Sequence, residues 1–282
     1  PAGTWSSGGS MNTAREKLAG CGTQTAALGI GGEIPPTLYD NTENYNGSSW
    51  TEVNDLNTAR SQLRAGGTST SALAFGGRTP PNTAITESWN GSSWTEVSDL
   101  NTARQRHSGA GADNTSSIAI GGIDPAGPQL GVTETWNGSS WTEVADLNQA
   151  RYDLAASGIA TASLVFGGQG PSPIYALTES WNGSAWTEVG DLVGAKKFHA
   201  ASEKGTSTAA LAFAGSDGTA RIALTESWNG TSWAETTDMS TARSNLGGAG
   251  TSTAGIAFAG DTGPSPMNSI SEEFIAPTTS TV

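Results

Sequence analysis

Cysteine is nearly absent: Cys21 is the only one in 282 residues. A lone thiol excludes an internal disulfide and any cysteine-based zinc centre, and it leaves the compartment open. Histidine is almost as scarce, with two. Basic residues are outnumbered, 13 Lys and Arg against 26 Asp and Glu, for a net charge of −13. Such a field repels a nucleic-acid backbone and an anionic membrane surface, so no nucleic acid is expected as a partner. Long apolar runs are missing as well. The stretches at 72–75 and 118–120 fall far short of the ~20 residues that cross a bilayer, so no membrane insertion is expected. No signal-peptide pattern is visible, and the chain opens at Pro1 without Met, which leaves room for processing or an upstream segment. Charged residues make up only 14%, while glycine fills 38 positions. That balance belongs to strands and turns rather than to helices.

What the sequence has in plenty is repetition. Trp50, Trp94, Trp141, Trp186 and Trp233 recur at spacings of 44, 47, 45 and 47 residues, and Trp5 lies 45 before the first. Ten residues after each stands Arg15, Arg60, Arg104, Arg151, Lys196 or Arg243. A doublet of small residues that closes an apolar run recurs on the same period, from Gly31-Gly32 to Ala259-Gly260. Both series count to six, which sets the number of structural units.

One unit reads as four strands. From Arg60, a short strand is expected at 62–66, a polar turn at 68–70 and an apolar strand at 71–77, as befits an element buried on both faces. A proline-containing loop at 78–83 leads to a third strand at 84–89. Asn90-Gly91-Ser92-Ser93 is a hairpin signal, because Asn-Gly readily takes positive φ, and the fourth strand follows from Trp94. Four antiparallel strands every ~45 residues describe a propeller blade. The expected fold is all-β, a single six-bladed propeller over 1–276 with a short tail at 277–282. Blades are expected at about 15–53, 60–97, 104–144, 151–189, 196–236 and 243–276, the last completed by 1–8. The sixth hairpin is split between the chain ends: 271–275 is a third strand lacking a fourth, and Thr4-Trp5 is a fourth lacking a third. Their pairing closes the ring and removes two exposed edges.

The glycine doublet, the Thr-Glu-Ser-Trp strand, its aromatic partner a few residues on and the Asp-Leu-Asn-Thr-Ala-Arg turn together resemble the kelch repeat. The resemblance covers residues 4–276. Lys196, Ala214, Ala259 and Phe274 depart from it at single positions, and the first unit lacks the usual Glu and Asp in its turn. The uniform wording of the repeats is similar to that of kelch-like proteins of marine bacteriophages. The resemblance implies a kelch-type propeller acting as an interaction module. Some six-bladed kelch-like proteins are sialic-acid mutarotases, which makes acid–base work by Glu16, Arg106, His107 or Asp153 the enzymatic alternative. A copper-radical oxidase resembling galactose oxidase is disfavoured, since Cys21 has no evident tyrosine partner for a crosslink.

Most of the conspicuous residues are claimed by the scaffold. The tryptophans occupy equivalent strand positions beside a tight turn and are expected to pack between blades. Sixteen of the 26 acids recur at repeat positions. The repeat Asp is expected to bond turn backbone, and the repeat Arg to stack on Trp or pair with an acid. Five Asn-Gly turns also match the N-glycosylation pattern, but the turn alone accounts for them. His107 and His199 take a position that is leucine in the other four copies, which points to a semi-buried structural slot.

Function is expected where the copies differ. Antiparallel order puts the one-to-two and three-to-four turns on one face, and the loops at 33–40, 78–83, 123–131, 169–175, 216–221 and 261–267 on the other. The first face is monotonous and the second is variable, as loops that carry binding on a rigid scaffold are. The residues after each repeat base are expected to enter the central channel. The candidate ligand-binding residues are Arg78, Arg106, Tyr152, Asp153, Tyr175, Lys197, Phe198 and Arg221. No catalytic residue, metal or cofactor is expected. The expected role is a non-enzymatic module outside cells or on a virion surface, binding a surface glycan or an assembly protein, with homo-oligomerisation left open. A purely structural virion or fibre decoration is the alternative outside enzymes.

Overall fold

The computed structural model describes residues 3–124, 127–263 and 267–277; they form six four-stranded antiparallel sheets and no helix. Of the expected tail, 278–282 lie outside the described residues, as do 125–126 and 264–266 within two of the variable loops. In the first blade the strands run Ala19–Thr23, Ala26–Ile34, Thr37–Tyr45 and Trp50–Val53, in that order across the sheet. The innermost strands of successive blades contact one another in a closed cycle. The sixth blade consists of Gly247–Gly250, Ala254–Phe258 and Ser271–Ile275, with Thr4–Gly8 as its outermost strand. Trp5 lies opposite Phe274 there, so the ring closes by the expected pairing of the two chain ends.

The strands are shorter than the apolar pattern suggests. In the second blade they are Arg64–Thr68, Ser71–Phe75, Thr86–Trp89 and Trp94–Val97, so the glycine doublet lies beyond the ladder. Gly76 (φ 62°) and Gly77 (φ 108°) turn the chain out of the sheet. The Gly77 N–H then donates to the Arg104 carbonyl of the next blade at 2.9 Å, and each of the other five doublets makes the same bond, Gly260 to Arg15 closing the circle. The first doublet position has φ near 60°, which alanine tolerates at a cost of ~1–2 kcal/mol, and Ala214 (61°) and Ala259 (57°) occupy it. The second lies at 91–110°, where only glycine is comfortable, and it is glycine in all six copies.

The core is divided into six clusters of buried apolar residues, one at each junction between neighbouring blades. The fourth-strand tryptophan is central to each. Trp141 meets Phe75 of the preceding blade edge-on at 5.0 Å, and Trp233 meets Phe166 at 4.7 Å. The indole N–H is not wasted on burial: Trp94 donates to Thr42 Oγ1, Trp141 to Thr86, Trp186 to Thr133 and Trp233 to Thr178, at 3.0–3.2 Å, always on the preceding blade. Trp50 reaches Ser271 in the same way across the closure. Aromatic bulk and a satisfied donor thus fix the same junction.

Within each blade the repeat base is fully buried and pairs with the repeat Glu, not with a tryptophan. Arg15 meets Glu43 at 2.7 Å, Arg151 meets Glu179 at 3.1 Å, Lys196 meets Glu226 at 2.7 Å, and Arg104 pairs with Glu134. The other carboxylate oxygen accepts a backbone N–H from the segment entering the blade, as from Asn57 to Glu87 at 2.7 Å and from Asn148 to Glu179 at 2.8 Å. The repeat Asp differs from expectation. Asp55 and Asp99 accept the N–H of Thr42 and Thr86, thirteen residues back on the third strand, rather than that of their own turn. The Asn-Gly turns are as expected, with Asn90 Oδ1 accepting from Ser92 and Ser93 at 2.9 Å.

These pairs generate a testable contrast. Arg151→Lys should cost about 1 kcal/mol, because Lys196 already fills the equivalent place. Arg151→Met leaves Glu179 buried without its counter-charge and should cost about 3–5 kcal/mol, read from denaturant unfolding midpoints.

Candidate functional site

Two residues after each repeat base the backbone enters the left-handed region without a glycine. Lys17, Gln62, Arg106, Asp153, Phe198 and Asn245 all have φ of 55–57°. The strain is offset by a second ring of inter-blade bonds. Each of these N–H groups donates to the carbonyl of its counterpart in the preceding blade: Gln62 to Lys17 at 2.8 Å, Arg106 to Gln62 at 3.2 Å, Asp153 to Arg106 at 2.8 Å, and so on to Lys17, which donates to Asn245 at 2.8 Å. The same kink delivers six different side chains to the channel mouth. With Leu18, Arg64, His199 and Leu246 they line a cavity of about 360 Å³, counting the space open to solvent.

One segment crosses the far end of the channel. The innermost strand of the fifth blade is only Ala200–Ala201, and the chain then bulges inward. The Glu203 carbonyl accepts the N–H of Gly158 on the fourth blade at 3.2 Å, and the Lys204 N–H donates to Gly250 on the sixth at 2.8 Å. Lys204 Nζ reaches Gly111 and Ala112 of the third blade at 2.8 and 2.7 Å. This segment therefore ties four blades together below the mouth.

Five of the eight candidate residues converge at this mouth. Arg106 Nε lies 3.4 Å from Asp153 Oδ1, and its guanidinium carbon sits 5.5 Å from the Tyr152 ring centre and 5.3 Å from that of Phe198. Lys197 Nζ lies 5.2 Å from the Phe198 centre and donates to Gln169, which in turn donates to Asp153 Oδ2 at 2.8 Å. The opposite arc is a separate network, in which Lys17 bridges Glu16 at 3.1 Å and Glu33 at 2.6 Å, and Asn245 donates to Glu16 at 3.0 Å. Arg78 touches that network through Glu33 at 3.7 Å. Arg221 stands apart, paired with Asp261 at 2.5 Å, and among the described residues Tyr175 makes no side-chain hydrogen bond or ring contact with the five.

Arg64 was not among the candidates, though it is legible as an outlier. It takes a position that is Ala19, Ser108, Ala155, Ala200 and Gly247 in the other copies, and a long cation there must fill the channel. Glu203 is a similar outlier, standing where four of the other copies turn on Gly22, Gly67, Gly158 and Gly250 at positive φ. Among the described residues no group of three or more His, Cys, Asp or Glu is arranged to hold a metal ion.

The two histidines are buried, and none of their ring nitrogens has a hydrogen-bond partner. His107 is wholly buried against Phe75 at 5.6 Å, and His199 against Phe166 at 5.7 Å. Burial, with Arg104 or Lys196 nearby, pushes both imidazoles well below their usual value of 6.5. Burial acts the other way on Asp153, raising its carboxyl to about 6 against the pull of Arg106 and the Gln169 hydrogen bond.

No protein-family model matches the chain, and no curated protein is significantly similar to it in sequence.

Opposite pH signatures follow from these groups. The native imidazoles resist protonation while the unfolded chain binds protons below about 6.5, so their contribution drains as pH falls. His107→Leu, which restores the residue of the other blades, should move the acid-unfolding midpoint to lower pH. Asp153 is destabilising when ionised, so Asp153→Asn should stabilise by about 1–3 kcal/mol at pH 7.5, and that gain should vanish towards pH 4. Thermal unfolding across pH 3–8 measures both.

Proposed function

We propose that the protein is a non-enzymatic interaction module of the kelch type, working outside cells or on a virion surface, that binds a surface glycan or a partner protein through the channel mouth and the variable loops around it. The observation that carries this reading is the convergence of Arg106, Tyr152, Asp153, Lys197 and Phe198 at the rim of the mouth cavity. Two aromatic rings, a guanidinium, an ammonium and an amide within a few ångströms supply stacking surfaces and directional hydrogen bonds together, the mixture that polyols and peptide segments require. Propeller folds commonly serve as interaction modules. The repeat acids and bases are consumed by internal pairing, which leaves recognition to residues that vary between copies.

The multimerised domain should bind a restricted set of glycans on an array. The double variant Arg106→Asn, Phe198→Asn should lose that binding at least tenfold while remaining folded, because Asn245 already holds the same left-handed backbone in the sixth blade. Undiminished binding by the variant would remove the mouth as the site, and silence across a broad array would remove glycans as the ligand class.

A further inference from the structure

The mouth contains a cation that the scaffold does not use. The repeat bases are neutralised by a Glu in contact, Lys17 by Glu16 and Glu33, and Arg106 by Asp153. Arg64 makes a single hydrogen bond, from Nη1 to the Leu63 carbonyl at 3.0 Å, and no ion pair within 4.0 Å among the described residues. It lines both the mouth cavity and a second cavity of about 320 Å³, counting the space open to solvent, and so lies between the two. Asp153 above and Glu203 below act on it electrostatically without touching it. Glu203 is a poor counter-ion, since burial drives its carboxyl well above the ordinary range despite Arg64 and Lys204. Two residues before Arg64, and lining the same cavity, the Gln62 amide has a buried oxygen, Oε1, that accepts no hydrogen bond. A guanidinium with free donors beside an unfilled acceptor is an unfinished site. The first calls for a carboxylate, whose two oxygens match its fork, and the second for a hydroxyl.

We propose that the channel mouth binds a small hydroxylated carboxylate, in the form of an acidic sugar unit, with Arg64 taking the carboxylate, Gln62 accepting from a hydroxyl and Phe198 packing on the ring. The proposal rests on the glycan-binding reading of the mouth and adds the chemistry of the unit that enters it. Selectivity follows from complementarity: a neutral sugar offers the guanidinium no opposite charge, whereas a simple carboxylate leaves the Gln62 acceptor empty.

Arg64 can be removed without disturbing the fold, because alanine is what the first, fourth and fifth blades carry at that position. Ligand-observed NMR and calorimetry on the full chain with sodium galacturonate, galactose and sodium acetate test the proposal. Galacturonate should bind at least tenfold more tightly than either of the others. Arg64→Ala should lose at least tenfold in galacturonate affinity with an unchanged melting profile. Glu203→Gln, which removes the competing carboxylate below, should leave binding intact or tighten it. Equal affinity for galactose, unchanged affinity in Arg64→Ala, or no binding of galacturonate would each overturn the proposal. Array binding to neutral glycans in the same preparation would overturn it while sparing the broader glycan reading.

Discussion

The fold depends on a charge that is buried and never left alone. In every blade a wholly enclosed Arg or Lys lies against a Glu on the third strand, and that Glu also caps the backbone of the segment entering the blade. Taking two ions out of water is costly, and their attraction repays this only when the remaining donors and acceptors are satisfied. Here the second carboxylate oxygen is satisfied by a backbone amide and guanidinium donors reach carbonyls such as Ala74 for Arg60, while the Nε of each of the five repeat arginines has no hydrogen-bond partner. The pair therefore fixes the position at which the chain crosses from one blade to the next. Packing between blades, which is apolar and less directional, is built on that geometry.

Around the axis the blades are held by two concentric sets of backbone bonds, one from the doublet and one from the left-handed residues. Neither set uses a side chain, and this accounts for the freedom at the mouth. Lys17, Gln62, Arg106, Asp153, Phe198 and Asn245 share one backbone shape, so any side chain that tolerates it can be placed there. The scaffold is uniform because it is made from repeated side chains, and the site is diverse because it is anchored through the backbone. The Glu203–Lys204 segment adds a tie between four blades below the mouth.

The architecture was legible in the sequence because it is written six times. Trp at one offset, a base ten residues on and a doublet on the same period set the blade number, the strand order and the split sixth hairpin. The strand ends were less legible: an apolar run continues through Gly76 and Gly77, but the backbone angles there do not, and hydropathy carries no information on φ. The repeat Asp was misplaced because its partner lies thirteen residues back, on a strand that it meets only after folding. At the mouth, Arg106, Tyr152, Asp153, Lys197 and Phe198 were found by their variability. Arg64 and Glu203 escaped because they lie at the start of an innermost strand and just past the end of one, where attention goes to the pattern and not to the single copy that breaks it. Arg221 varies as much, but it pairs with Asp261 outside the mouth network.

The strand that completes the sixth blade has a mechanical consequence. Thr4 lies opposite Ile275 and Gly8 opposite Ser271, so the two ends of the folded chain emerge side by side at the same end of one ladder. Tension applied between them peels that ladder open one rung at a time instead of shearing all its bonds together. The sixth blade is then the seam at which a stretched chain yields, while the other five stay joined through their covalent hairpins. A load carried through a single end leaves the seam unstressed.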